Sequence, residues 1–177
     1  MSLSTHPISP LPNTYWVIPN RFLAGEYPGA VDDEGAIRKL RHLLDAGITT
    51  WIDLTEPDEY ALHPYRPHLE ALAQQTGREI EYLRLSIPDL SIPTHDEMQT
   101  ILDALDERMD EQKCVYVHCY GGIGRTGTVV GCFLARHGTN GEAALQRIEE
   151  LRSGIAKAWR TSPETYEQKQ MVIQWQE

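Results

Sequence analysis

Apolar and polar residues along this chain follow two periods that take turns. Short runs rich in β-branched and aromatic residues, Tyr15–Ile18, Phe22–Ala24, Thr49–Leu54, Glu81–Ile87 and Val115–His118, predict five strands. Between them the period becomes that of an amphipathic helix. Thr94 with Glu97 three residues on forms a capping-box pattern, after which Met98, Ile101, Leu102 and Leu105 recur at helical spacing. Thr139 with Glu142 repeats that signal ahead of Leu145, Ile148 and Leu151. Further helices are predicted over Asp33–Asp45, Pro67–Thr76, Arg125–His137 and Pro163–Trp175, the last with Ser162 as cap and Pro163 in its first turn.

Strands alternating with helices predict an α/β fold, a single domain with a mainly parallel central sheet flanked by helices. In such sheets ligands bind outside the carboxyl ends of the strands. The segments "TEPDEY", "PDLSIPT" and "CYGGIGR", which follow Leu54, Ile87 and His118, should therefore face one crevice.

At 177 residues and 41% hydrophobic, the chain can bury one sizeable core, and no repeat or linker divides it. The expected domain covers residues 14–177, with the Pro-bearing residues 1–13 as a loose arm. No apolar run approaches the roughly 20 residues of a membrane-spanning helix. The start "MSLSTHPISPLPNTYW" lacks the basic and apolar regions of a secretory leader. The expectation is a soluble, cytoplasmic monomer. A net charge of −10 opposes binding to nucleic acid or an anionic membrane, so any phosphate site must be local and strongly built. Three cysteines and seven histidines show no metal-ligand spacing, so neither metal nor cofactor is expected. Cys114 and Cys132 read as core residues.

The densest chemistry lies in "VHCYGGIGRTG", residues 117–127. A strand, a glycine-bearing loop and a helix make an anion cradle, because backbone N–H groups and the helix N-terminus converge on the loop's centre. The loop positions Tyr120, Gly121, Gly122, Ile123 and Gly124 would supply that backbone, and Arg125 a fixed fork for two phosphoryl oxygens. A free thiol is mostly protonated at neutral pH, whereas donors at a helix N-terminus favour thiolate. The groups that hold phosphate would also hold Cys119 ionised, which points to attack by sulfur on phosphorus. A buried small hydrophobe is the bland alternative for Cys119, and it would need neither the glycines nor Arg125.

These residues, "HCYGGIGRTG", resemble the signature of the cysteine-dependent protein tyrosine phosphatase superfamily: His-Cys, five residues, Arg, then Ser or Thr. The resemblance is closest to the small dual-specificity branch, which similarly carries an upstream Pro-Asp loop, here "IPDLSIP", and a downstream segment, here "SPETYEQ". It runs over about residues 80–175; "NRFLAGEYPG" at 20–29 is similar to bacterial members.

The resemblance implies Cys119 as nucleophile, Arg125 as phosphate ligand and Asp89 as general acid, with Asp58 of Pro57-Asp58 as the competing candidate. It implies that the Thr126 hydroxyl stabilises the departing thiolate, that His118 tunes the cysteine, and that Glu164 and Gln168 lie over the pocket and place the hydrolytic water. Against these stand ordinary readings: turn formation for either Pro-Asp, a first-turn threonine, a satisfied core histidine, and an acid favoured at a helix N-terminus. The implied partner is a phosphorylated protein, with phosphotyrosine the best substrate, or another phosphate monoester. A phosphoinositide or RNA-directed enzyme is disfavoured because no variable cradle position is basic; Lys157 and Arg160 are the nearby candidates for a second anion contact. A phospho-binding module without turnover would lack the cysteine, the arginine or the acid. A sulfurtransferase would lack the Arg-Thr-Gly helix start and the Pro-Asp loop.

Overall fold

A computed structural model describes residues 7–177 of the chain. The strands are β1 (Thr14–Ile18), β2 (Phe22–Gly25), β3 (Thr50–Asp53), β4 (Glu81–Arg84) and β5 (Val115–His118). The helices are α1 (Asp33–Asp45), α2 (Arg66–Thr76), α3 (His95–Asp110), α4 (Gly124–Arg136), α5 (Gly141–Arg152) and α6 (Tyr166–Gln174), with a 3-10 turn over Glu59–Ala61. The sheet order is β1-β2-β5-β3-β4; β1 and β2 form an antiparallel hairpin, and all other pairs are parallel.

Period-2 alternation sends strand side chains to two cores. Phe22, Ala24, Ile52, Val115 and Val117 join α3–α6, while Leu23, Trp51 and Tyr116 join α1 and α2. Both faces are thus covered, as parallel sheets require. Each fully buried aliphatic side chain here contributes about 1.5–3 kcal/mol. Register then fixes the site: Gly25 pairs with His118, His118 with Asp53, and Asp53 with Arg84. One residue from each parallel strand lies level at the carboxyl edge, where the loops leave.

α2 and α4 each begin one residue earlier than expected, at Arg66 and Gly124, and the starts of α5 and α6 differ in their caps. α5 is capped by Asn140, whose Oδ1 accepts from Ala143 N at 3.0 Å, not by Thr139; asparagine is the stronger cap. α6 begins at Tyr166, not Pro163, because Thr165 and Gln168 close a complete capping box while the Ser162 hydroxyl is committed to Ile123 O at 2.7 Å. β4 ends at Arg84, short of the expected Ile87, although Leu85 N and Ile87 N still donate to Asp53 O and Leu54 O. Of the expected loose arm, residues 1–6 lie outside the described residues, and the remainder is docked. Leu11 is buried, Pro12 O accepts from Ala156 N at 3.0 Å, and Asn13 bridges Glu26 and Lys157 N.

Candidate active site

The cradle follows from what β5 and α4 leave unsatisfied. α1, α3, α5 and α6 begin with side-chain caps, but α4, which starts at Gly124 after Ile123 at its N-cap position, has none, so its first N–H groups stay open toward the loop. Gly122 has φ +69°, and a Cβ there would stand 2.5 Å from the Gly25 carbonyl carbon. Only glycine lets the loop press against the end of β2. Its N–H points at Cys119 Sγ, 3.3 Å away. Tyr27 N donates to Tyr120 O at 3.0 Å, tying the β2–α1 loop to the cradle wall.

Arg125 is 1% exposed and held from several sides. Its Nη1 donates to Ile87 O at 3.0 Å, and both Nη atoms reach the Glu59 carboxylate, at 2.7 and 2.6 Å. Nη2 also lies 2.9 Å from Asp89 Oδ1. Nε is buried and makes no hydrogen bond. Burial works against the guanidinium charge, but Glu59, the Cys119 sulfur and Asp89 outweigh it and raise its pKa above the ordinary arginine value. The guanidinium is therefore clamped along its Nη1–Nη2 edge by Glu59, with Asp89 on Nη2 and only Nε without a partner.

The two Pro-Asp loops sit differently. Asp89 is half-buried, shared between Arg125 and the Tyr60 hydroxyl, which donates to its Oδ2. Asp58 is exposed at the start of the 3-10 turn, with a left-handed φ of 59°. Its neighbour Glu59, 6% exposed in its side chain, reaches the arginine instead.

His118 is buried at the floor of the cradle. Its Nδ1 lies 3.2 Å from Cys119 O and its Nε2 2.7 Å from the Tyr65 hydroxyl. Burial pushes the imidazole below its ordinary value, against the opposing pull of Asp53. With a neutral ring, Nδ1–H donates to Cys119 O and the Tyr65 hydroxyl donates to Nε2. Beside it Asp53 is fully buried. Its Oδ1 accepts from the N–H and hydroxyl of Thr55, and its Oδ2 from Tyr82 and Arg84. Burial opposes this charge, but His118 and the Tyr82 and Thr55 donors hold the carboxyl below the usual range.

Thr126 is buried and its hydroxyl donates to Gly25 O at 3.3 Å, linking α4 to β2 rather than meeting the sulfur. Gln168 is fully buried; its Oε1 accepts from Glu164 N and Thr165 N, and its Nε2 donates to Ser91 O at 3.1 Å. It thereby joins α6 to the loop that carries Asp89. It also lies over Gly124, where a Cβ would stand 2.9 Å from its Oε1. Glu164 pairs with Arg160 at the cavity wall.

A cavity of about 820 Å³ opens above Cys119, lined by the cradle, Tyr27, Tyr60, Asp89 and the α5–α6 loop. Tyr60 and Tyr120, both on the cavity wall, pack against each other with ring centroids 5.0 Å apart. Among the described residues no three His, Cys, Asp or Glu side chains converge as a metal site requires. No helix among the described residues is long and apolar enough to cross a membrane. Burial pushes the Cys114 thiol up to about 11 and raises that of Cys132 as well.

The structure brings Cys119, Arg125, Asp89, His118 and the cradle glycines together, and seats Gln168 behind them. Sequence reasoning missed Glu59, Tyr60, Asp53 and Tyr65. The signals were faint: an acid next to the competing Pro57-Asp58, and a charged residue closing the apolar run "TWID".

A five-stranded, mostly parallel sheet whose central strand runs through a cysteine-bearing anion loop into an arginine-bearing helix is the architecture of cysteine-dependent phosphatase domains. The family model described as Swiss Army Knife protein, DSP-PTPase phosphatase domain, matches residues 11–172. The chain belongs to that family, within the small dual-specificity-like branch of the cysteine-dependent protein tyrosine phosphatase superfamily. It is 37% identical over 78 residues to phosphatidylglycerophosphatase and protein-tyrosine phosphatase 1 of Homo sapiens, covering 43% of this chain and 39% of that protein. It is 27% identical over 129 residues to dual specificity protein phosphatase CDC14B of Mus musculus, covering 69% of this chain and 24% of that one. The chain thus spans well under half the length of these two relatives. The crystal structure of Tk-PTP in the active form superposes with a TM-score of 0.70 at 26% identity, covering 91% of this chain and 94% of that one.

Proposed function

We propose that this protein is a metal-independent phosphatase acting on phosphotyrosine, and on phosphoserine or phosphothreonine where they reach the sulfur, through a phosphocysteine on Cys119. The observation that carries this reading is the buried, unpartnered Nε of Arg125, at the start of the helix that follows the cradle, in a guanidinium whose Nη atoms are fully engaged. A buried donor without a partner is costly; a phosphoryl oxygen supplies the missing acceptor.

In the first step the Cys119 thiolate attacks phosphorus, and the bond to the leaving oxygen breaks as that oxygen takes a proton from Asp89. The phosphoryl oxygens rest on the open N–H groups of the cradle and on the Nε–Nη2 edge of Arg125. Phosphate arriving at Nη2 competes with Asp89 Oδ1 for that nitrogen, which frees the carboxyl to turn toward the leaving group. In the second step Asp89 takes a proton from water, whose oxygen attacks the phosphocysteine, and the sulfur–phosphorus bond breaks. Glu59 keeps the arginine oriented throughout, while His118 fixes the Cys119 carbonyl and so the loop. Thr126 would have to turn from Gly25 O to assist the departing thiolate. Gln168 acts by holding the Asp89 loop through Ser91. The Tyr60–Tyr120 pair on the cavity wall supports an aryl leaving group.

Hydrolysis of para-nitrophenyl phosphate with a chelator present tests the reading. Wild type should turn over and Cys119→Ser should not; a folded wild type without chelator-resistant activity would leave a phospho-binding module as the better description.

A further inference from the structure

The cavity is far larger than the oxyanion cradle at its floor. It extends from Cys119 past Tyr27 and Gly29 to Lys39 of α1 and His63 of the β3–α2 loop. Its volume of about 820 Å³ lies in the range of sites that enclose a whole small molecule. The cations on its wall are not equivalent. Arg125 is neutralised by Glu59 and Asp89, Lys157 by Glu26 at 2.6 Å, and Arg160 by Glu164. Lys39 alone of these cations has no carboxylate within 4.0 Å among the described residues; its ammonium donates to Gly29 O at 3.1 Å.

In a chain with 26 acidic and 16 basic residues, Lys113 and Lys157 are each paired with a carboxylate, whereas Lys39, on the wall of this cavity, is not. The ammonium carries three donors, one of them used here. The residue is half-buried, so its charge is less screened than that of a lysine on an open face. Its position is also fixed relative to the cradle. Gly29 stands two residues, at most about 7 Å of chain, from the Tyr27–Tyr120 hydrogen bond that joins this loop to the cradle.

We infer that Lys39 marks a second anion subsite, and that the preferred substrates carry a second phosphate or a carboxylate beside the phosphate that is cleaved. This rests on the phosphatase reading above and narrows its substrate class. The shared chemistry is a phosphate monoester with a neighbouring anion on one compact scaffold, and two sources can supply it: a phosphotyrosyl peptide with an acidic flanking residue, or a polyol carrying two phosphates. The subsite takes no part in bond breaking, so it acts on binding and leaves the chemistry at Cys119 unchanged.

The test uses matched pairs that differ only in the second anion: phosphotyrosyl peptides with aspartate or alanine beside the phosphotyrosine, and myo-inositol mono- and bisphosphates, with phenyl phosphate as reference. Lys39→Gln keeps a donor for Gly29 O and removes the charge. It should raise KM about tenfold for the two-anion member of one pair, the loss of one charge-assisted contact, with Lys39→Arg restoring it. Phenyl phosphate and the one-anion members should stay within about twofold. The pair that responds identifies the source. Equal changes in both members of each pair, or no change in either pair, would overturn the subsite. Titration calorimetry of the same pairs on Cys119→Ser protein, with and without Lys39→Gln, reads the subsite without turnover. An inactive wild type that still shows the Lys39-dependent difference would therefore reject the phosphatase reading and retain the subsite.

Discussion

Two loops of this molecule carry the same dipeptide at the same edge of the sheet, and the structure treats them in opposite ways. Pro57-Asp58 follows β3 and Pro88-Asp89 follows β4, from strands whose last residues, Asp53 and Arg84, are paired in register and by an ion pair of 3.1 Å. The second loop is tethered on both sides of its aspartate: Ile87 O receives Arg125 Nη1, and Ser91 O receives Gln168 Nε2. Asp89 is consequently held over the cradle. The first loop turns through left-handed residues at Asp58, Tyr60 and Ala61, which points Asp58 outward and Glu59 inward. A Pro-Asp pair therefore gains a role from what anchors its flanks. In the first loop the useful side chains are the two that follow the aspartate, Glu59 on the arginine and Tyr60 on Asp89.

Four measurements would break or sharpen that contrast. The largest effect belongs to the acid. Asp89→Asn should lower kcat on an alkyl phosphate by about 10²–10⁴-fold, the range for a positioned proton donor, whereas Asp58→Asn should leave it within about twofold. Equal losses in the two variants would erase the distinction between the loops. Next comes Glu59→Gln, which loosens the clamp on the Arg125 Nη edge; kcat/KM should fall roughly 10–100-fold, the value of a charge-assisted contact, with the thermal midpoint followed to confirm folding. An unchanged kcat/KM would show that Ile87 O and Asp89 orient the arginine without Glu59.

A smaller effect is expected at Tyr60. Tyr60→Phe removes a hydrogen bond to Asp89, so rates on poor leaving groups should change a few-fold, the value of about one hydrogen bond, while para-nitrophenyl phosphate, whose leaving group needs less proton donation, stays nearly constant. A uniform change across leaving groups would assign Tyr60 to substrate contact instead. The smallest effect concerns the row from which both loops spring. Burial lowers the folded pKa of His118, so below the unfolded value of about 6.5 the unfolded chain takes up a proton that the folded chain resists. Stability should decline as the pH drops from there, by a few degrees in midpoint, and His118→Asn should flatten that limb. Asp53 adds a later loss, because its lowered pKa contributes stability above the unfolded carboxylate value and gives it up as pH falls through the folded one.

What could be read in advance was what lies close together in the chain. The cradle from His118 to Thr126 is one contiguous stretch, so its spacing carried strand, loop, helix and chemistry at once. Helices with complete caps, such as α3 behind Thr94 and Glu97, were equally plain. The clamp was not, because Glu59 and Arg125 are 66 residues apart and meet only through the pairing of β3 with β5. The same applies to Asp53, His118 and Tyr65, which sheet register and α2 assemble. Gln168 was expected over the pocket beside the hydrolytic water; its amide is occupied with Ser91, Glu164 and Thr165, a tethering role that no local pattern expressed. The start of α6 was misplaced because Ser162 and Pro163 mimic a helix start, whereas the serine's hydroxyl bonds across the fold to Ile123.

The central claim is that Cys119 receives the phosphoryl group. Mass spectrometry of acid-quenched wild type, taken within the first turnovers on para-nitrophenyl phosphate with chelator present, tests it most directly. A phosphoryl adduct on the peptide that contains Cys119, absent from Cys119→Ser and from the peptides of Cys114 and Cys132, is the predicted result. Sustained turnover with no adduct, or turnover that survives Cys119→Ser, would contradict it.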